Sequence, residues 1–198
     1  MNKELPMFML EIDESTESEF GVNYVAMVDK PAIQEDFFAF ADQHRLQFSE
    51  DDERIIIGPA IIPDQPIYRS DPEMGEFYVQ FDKQTIEKAA IKFFENGFQS
   101  NINLMHSPVL KLSGITIFQS FIQDSKKNIA GMGNKYPDGT WFLGAKVKND
   151  SAWSLIKQGK VKGWSVEGMF KYKPKPATDE QIFARLKDLL KDYWKSKL

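Results

Sequence analysis

The sequence predicts a mixed α/β domain in which short strands outnumber helices. About eight stretches either alternate apolar with polar residues or run nearly continuously apolar, punctuated by Gly, Pro and Asp. Three other stretches repeat apolar residues at helical spacing. With 198 residues, 42% of them hydrophobic and 27% charged, the chain has the length and composition of one globular domain with a core.

Residues 7–12 form a short apolar run that reads as a strand, ended by an acidic turn over 13–19. Gly21 opens a second strand over 22–28, closed by Asp29-Lys30-Pro31, where proline has no N–H to give a ladder. Residues 34–54 change character, with Phe37, Phe38, Phe40, Leu46 and Phe48 interleaved with acids. That fits either an amphipathic helix followed by a loose acidic loop or a flexible segment that docks its phenylalanines on something. His44 lies there among polar residues and reads as a solvated surface histidine.

Residues 54–63 carry Ile55, Ile56, Ile57, Ile61 and Ile62, broken by Gly58-Pro59, which suits a strand buried on both faces with a bend. A turn at 64–66 leads to a short strand over 67–69. Phe77, Val79 and Phe81 then alternate with Glu76, Tyr78 and Gln80, the pattern of a half-buried strand. Asp82 caps a helix over 83–96, with Ile86, Ala89, Ala90 and Phe93 on one face and Gly97 as its stop. Ile102, Leu104 and His106 share one face of a strand that Pro108 ends.

Residues 114–123 read as a long strand ending at Asp124, before a polar turn over 125–128. A hairpin-type turn over 134–139 enters a strand over 140–147. A short helix near 150–158, packed by Trp153 and Ile156, delivers the chain through Gly159 to a strand over 164–170. Residues 171–176 form a basic, Pro-containing linker with an extended tendency. Thr178 and Gln181 form a capping box for a last amphipathic helix bearing Ile182, Phe183, Leu186, Leu189, Leu190, Tyr193 and Trp194. That helix either covers the domain or offers its stripe to another subunit. The expected division is one domain over 1–173, then linker and helix over 174–198.

Composition excludes several chemistries. Without cysteine there is no thiol nucleophile and no disulfide scaffold, and two histidines make no structural zinc set, so neither metal nor cofactor is expected. A net charge of −4 argues against general nucleic-acid binding. Lys160, Lys162, Lys171, Lys173 and Lys175, interleaved with Trp164, Phe170 and Tyr172, could stack on single strands, but the same pattern describes the solvated edge of a strand. Gly131-Met132-Gly133 lacks the further glycine and the helix of a dinucleotide fingerprint. No apolar run has the length of a membrane span, and the acidic start is not a signal peptide, so a cytosolic protein with no membrane partner is expected.

Two stretches carry chemistry. In Gly163-Trp164-Ser165-Val166-Glu167-Gly168-Met169-Phe170, strand alternation puts Trp164, Val166 and Phe170 on one side and Ser165, Glu167 and Met169 on the other. Glycines at 163 and 168 remove bulk, so a neighbouring backbone or a substrate can come close. Serine is a feeble nucleophile until a base takes its proton, and His106, in Asn103-Leu104-Met105-His106-Ser107-Pro108, is a candidate for that base. From spacing alone, such a serine is more often a plain strand residue and such a histidine a satisfied core residue.

Both stretches resemble the phage prohead proteases of the XkdF-like group, relatives of the herpesvirus assemblins. The opening GVNYVAMVDKPAI and the middle GPAIIPDQPIYR resemble that group too, so the similarity runs over most of residues 7–172. The resemblance implies a closed, mainly antiparallel β-barrel flanked by helices, with which about eight strands are compatible. It implies a serine endopeptidase, oligomeric, that processes scaffold and capsid proteins and itself inside the assembling prohead in the host cytoplasm. The family's roles fall on His106 as general base and Ser165 as nucleophile.

Assemblins use a second histidine as the third catalytic member, and this chain departs from them, because His44 lies away from every matching motif. An acid must substitute, or the site is a dyad. Asp124 is the first choice, at the end of the strand after the histidine strand, where the phage relatives often carry an acid. Glu167 is the alternative, on the face of Ser165 and about 7 Å from it along a strand. The oxyanion would be held by backbone amides. The competing reading is a capsid-associated structural protein that keeps the protease fold without turnover.

Overall fold

The apolar runs become ten strands and three α-helices in the computed structural model, which describes residues 5–12, 20–30, 53–129, 135–176 and 179–195. In chain order these are β1 (Met7–Glu11), β2 (Gly21–Val28), β3 (Ile55–Ile61), β4 (Ile67–Asp71), β5 (Gly75–Gln80), α1 (Lys83–Glu95), β6 (Ile102–Leu104) and β7 (Ile115–Ile122). β8 (Trp141–Val147), α2 (Asp150–Lys157), β9 (Gly163–Met169), β10 (Lys171–Pro174) and α3 (Asp179–Lys195) follow. His44, the segment over 34–52, Asn134 of the hairpin turn and Thr178 of the capping box lie outside the described residues.

Helix ends follow their sequence signals. Asp82 accepts from the Thr85 N–H at 2.7 Å, filling a donor that the first turn leaves open, and Gly97 leaves the helix with φ +70°. The buried face of α1 is Ile86, Ala89, Ala90 and Phe93, as the spacing predicts, and it packs on β2 and β8. Asn149 caps α2 through the Ala152 N–H at 2.9 Å, and Trp153 and Ile156 are buried beneath it. Phe93, Trp141, Trp153 and Trp164 meet in one continuous core, each no more than 2% exposed.

The expected closed barrel is not formed by the described strands. They make three open sheets, ordered β10-β1-β5-β4, β6-β2-β9 and β3-β8-β7. Pairing is mainly antiparallel, with β1–β5 and β2–β6 parallel. β9 and β3 run side by side without a ladder between them. Pro59 lies in β3 and has no N–H to donate, which suits an edge strand. The segment read as a linker is β10 over 171–174, paired antiparallel with β1 from Phe8↔Pro174 to Glu11↔Lys171. Its side chains are all exposed, and two of them add to the backbone pairing: the Tyr172 ring meets Phe8 and Phe77 edge-on, and Lys173 Nζ lies 3.0 Å from Glu11 Oε1.

β2 binds the carrier of Ser165 closely. β9 pairs with it from Gly21↔Met169 to Val28↔Gly163 through an irregularity between Val22 and Tyr24. At Gly168 a Cβ would lie 1.8 Å from the Gly21 carbonyl oxygen. Only glycine allows that approach, and the close neighbour anticipated at 168 is a backbone.

Candidate active site

Sheet register explains how side chains distant in sequence meet. Across β6-β2-β9, Asn103, Ala26 and Ser165 form one row, since Asn103 pairs with Ala26 and Ala26 with Ser165. Residues in register share a face. Ala26, fully buried and small, leaves the space above it to side chains from the outer strands. Glu167, two residues beyond Ser165 on β9, receives a hydrogen bond from Asn103 Nδ2 at 2.7 Å on its Oε1. The same oxygen lies 3.0 Å from His106 Nδ1.

His106 reaches Glu167 from a turn rather than from the end of a strand. β6 stops at Leu104, and Met105 and His106 both take positive φ, 54° and 56°. Left-handed backbone at side-chain-bearing residues costs about 1–2 kcal/mol each, so something must hold them. Met105 N–H donates to the Met27 carbonyl at 3.0 Å, and the Asp29 N–H points at the Met105 sulfur at 3.4 Å. Leu104 N–H to the Leu110 carbonyl, and Leu112 N–H to the Ile102 carbonyl, close the base of the loop. The alternation over 102–106 therefore breaks where the chain turns, and the His106 side chain is 44% exposed instead of sitting in the core.

His106, Ser165 and Glu167 line one cavity of about 410 Å³ where the three sheets meet. Its walls are otherwise mostly apolar, including Leu10, Ile67, Val79, Phe81 and Phe170, with Arg69 from β4. Ser165 itself is only 3% exposed. With Nδ1 directed at a carboxylate, the imidazole is oriented as in a serine-hydrolase triad, leaving Nε2 for a hydroxyl.

Asp124 is not brought to this cavity. It follows β7, which β3 and β8 separate from β9, and lines a different cavity of about 830 Å³ with Lys83, Phe94, Lys127 and Asp138. Its Oδ1 accepts from the Lys126 and Lys127 N–H groups at 3.0 and 3.3 Å, and its Oδ2 is 3.0 Å from Lys127 Nζ. The Lys127 ammonium holds the carboxyl below the usual carboxylate range. It caps the short turn Ser125–Lys127. The acid beside His106 is the alternative, Glu167.

Comparison with known proteins decides the family. The model described as "Putative phage serine protease XkdF" matches residues 43–173. The chain belongs to that family. The match contains His106, Asp124, Ser165 and Glu167 and leaves β1, β2 and α3 outside it. No curated protein and no solved structure matches the chain. That description agrees with the resemblance carried by the two motif stretches and with a mixed, strand-rich fold.

Sequence reasoning did not single out Asn103 or Arg69. Asn103 is 2% exposed, and a polar residue buried in a strand was the available signal, hidden because burial is a property of the fold. Arg69 is the lone cation of a short strand, a pattern shared by many surface arginines. Among the described residues no group of His, Cys, Asp and Glu could hold a metal ion.

Proposed function

We propose that this chain is a serine endopeptidase that cuts scaffold and capsid proteins, and itself, during phage head maturation. The observation that carries the reading is His106 Nδ1 at 3.0 Å from Glu167 Oε1, at a cavity that Ser165 also lines. Ser165 Oγ attacks the scissile carbonyl carbon while its proton passes to His106 Nε2. The tetrahedral intermediate collapses, the C–N bond breaks, and the leaving amine takes that proton. Water, deprotonated by the same imidazole, then cleaves the acyl ester and restores the serine. Glu167 orients the ring and faces the charge that develops on it, with Asn103 fixing the carboxylate.

The enzyme acts inside the assembling prohead in the host cytoplasm and works as a homo-oligomer. Support for assembly is α3, whose Ile182, Phe183, Leu186, Leu189 and Leu190 are all exposed along one stripe. The test is incubation of the full chain, and of Ser165→Ala and His106→Ala proteins, with the scaffold and capsid proteins of the same phage, followed by intact mass. Cleavage by the wild type alone is the expected result. Three inert but folded proteins would instead favour the structural, non-enzymatic capsid role.

A further inference from the structure

We propose that Arg69 makes the cavity of Ser165 and His106 selective for a glutamate side chain of the protein substrate. The inference rests on the endopeptidase reading and adds to it a substrate class. Arg69 lies on β4 opposite Phe77 of β5, is half-buried, and lines the cavity that Ser165 also lines. Among the described residues it makes no ion pair, and its one hydrogen bond runs from Nη1 to the Tyr68 carbonyl at 3.1 Å. Most of its five donors are therefore uncommitted.

A guanidinium partly withdrawn from water and left without a counter-ion carries a cost, and a ligand carboxylate offsets it. Burial lowers the hold of Arg69 on its proton, with Tyr172 opposing the shift, so the group already bears this penalty. Glu167, the carboxylate on the same cavity, is engaged by Asn103 and His106. The walls beside Arg69 are the apolar side chains of Leu10, Ile67, Val79 and Phe81, none more than 5% exposed. An apolar slot with a planar fork of donors on its wall suits two methylenes ending in a carboxylate, the shape of glutamate.

The experiment uses the full chain labelled with ¹⁵N and follows the Arg69 side-chain Nε–H resonance during titration with three probes. These are N-acetyl-glutamate amide, N-acetyl-glutamine amide and N-acetyl-leucine, which carries its carboxylate on the backbone. The expected result is saturation by the glutamate probe at a concentration about tenfold or more below that of the glutamine probe, as a charge-assisted hydrogen bond provides. Arg69→Met, and Arg69→Gln as a second variant checked by its melting curve, should bring the two probes together, read from the backbone amides of Ser165 and Glu167. Equal binding of glutamate and glutamine probes, or a preference that survives both variants, would overturn the proposal. Stronger binding of N-acetyl-leucine would overturn it in favour of a terminal carboxylate.

Labelling of Ser165 by a fluorophosphonate in the same samples reads the endopeptidase assignment separately. In that reaction the Ser165 Oγ–P bond forms, the P–F bond breaks, and fluoride leaves while the imidazole takes the proton. Glutamate preference without labelling leaves the anion site standing on a protein that is not a hydrolase. Labelling without glutamate preference leaves a protease whose substrates are not selected by Arg69.

Discussion

The turn after β6 and the turn after β7 have the same task, carrying the chain off the end of a strand, and they accomplish it in opposite ways. After β7, Asp124 satisfies the Lys126 and Lys127 N–H groups and the Lys127 ammonium, Asp138 takes the Ser125 N–H and hydroxyl, and the left-handed position falls to Asn128 at φ 56°. Asn visits that region readily, so the turn is consistent with its own sequence. After β6, the left-handed positions fall to Met105 and His106, and the partners that hold them, Met27, Asp29 and Glu167, come from far along the chain. A turn strained locally and supported from a distance is where a fold spends stability on placing a side chain. Of the two carboxylates considered as a third catalytic group, Asp124 caps the turn whose left-handed residue suits it, and Glu167 belongs to the turn whose left-handed residues are held from a distance.

The largest effect separates those carboxylates. Glu167→Gln should lower cleavage of a capsid or scaffold substrate by about 10³-fold, since the imidazole loses its orienting charge. Asp124→Asn should leave the rate within about threefold, as a surface substitution away from the site does. The reverse ranking would sink the assignment of Glu167. Next in size is Asn103→Ala, expected to cost about tenfold by freeing a carboxylate that a buried amide now holds. Rescue by Asn103→Gln in part, and none by Asn103→Leu, would show that the donor rather than the volume matters.

His106→Gly tests the strain itself. Relief of one left-handed residue should raise stability by about 1 kcal/mol, while cleavage is lost with the base. His106→Ala, which keeps a Cβ, should lose cleavage without that gain, and urea midpoints of the two proteins give the difference. The same exchange at Asn128 should change stability by a smaller amount, because Asn already tolerates its conformation.

The comparison also shows what could be read from sequence. Residues whose partners are local announced themselves: Asp82 as the cap of α1, Gly97 as its stop, and the apolar faces over 77–81 and 86–93. Ser165 and His106 came from motif resemblance, since neither spacing nor alternation distinguishes a catalytic serine from a strand serine. The row Asn103, Ala26, Ser165 depends on three strands pairing in register, which no single stretch encodes. β10 was hidden for a different reason. Its exposed Lys171-Tyr172-Lys173-Pro174 has no buried face, so nothing in its pattern reports the backbone pairing with β1. Barrel closure was inherited from the family likeness, and the edge between β9 and β3 stays open beside Pro59.

The smallest effect is the acid dependence of the β7 turn. Lys127 depresses the Asp124 carboxyl, and the hydroxyl and N–H of Ser125 depress that of Asp138. A carboxyl depressed in the folded chain binds protons less readily than in the unfolded one. Its stabilising contribution is therefore complete above the ordinary value of 3.8 and is lost as pH falls below that through the folded value. Melting curves of the wild type between about pH 5 and pH 2 should fall more steeply than those of an Asp124→Asn, Asp138→Asn double variant. Added salt should narrow the gap, because both groups lie at the surface. Cleavage by the double variant at neutral pH should match the wild type, and a marked loss there would reconnect this turn to the site that the sheet order separates it from.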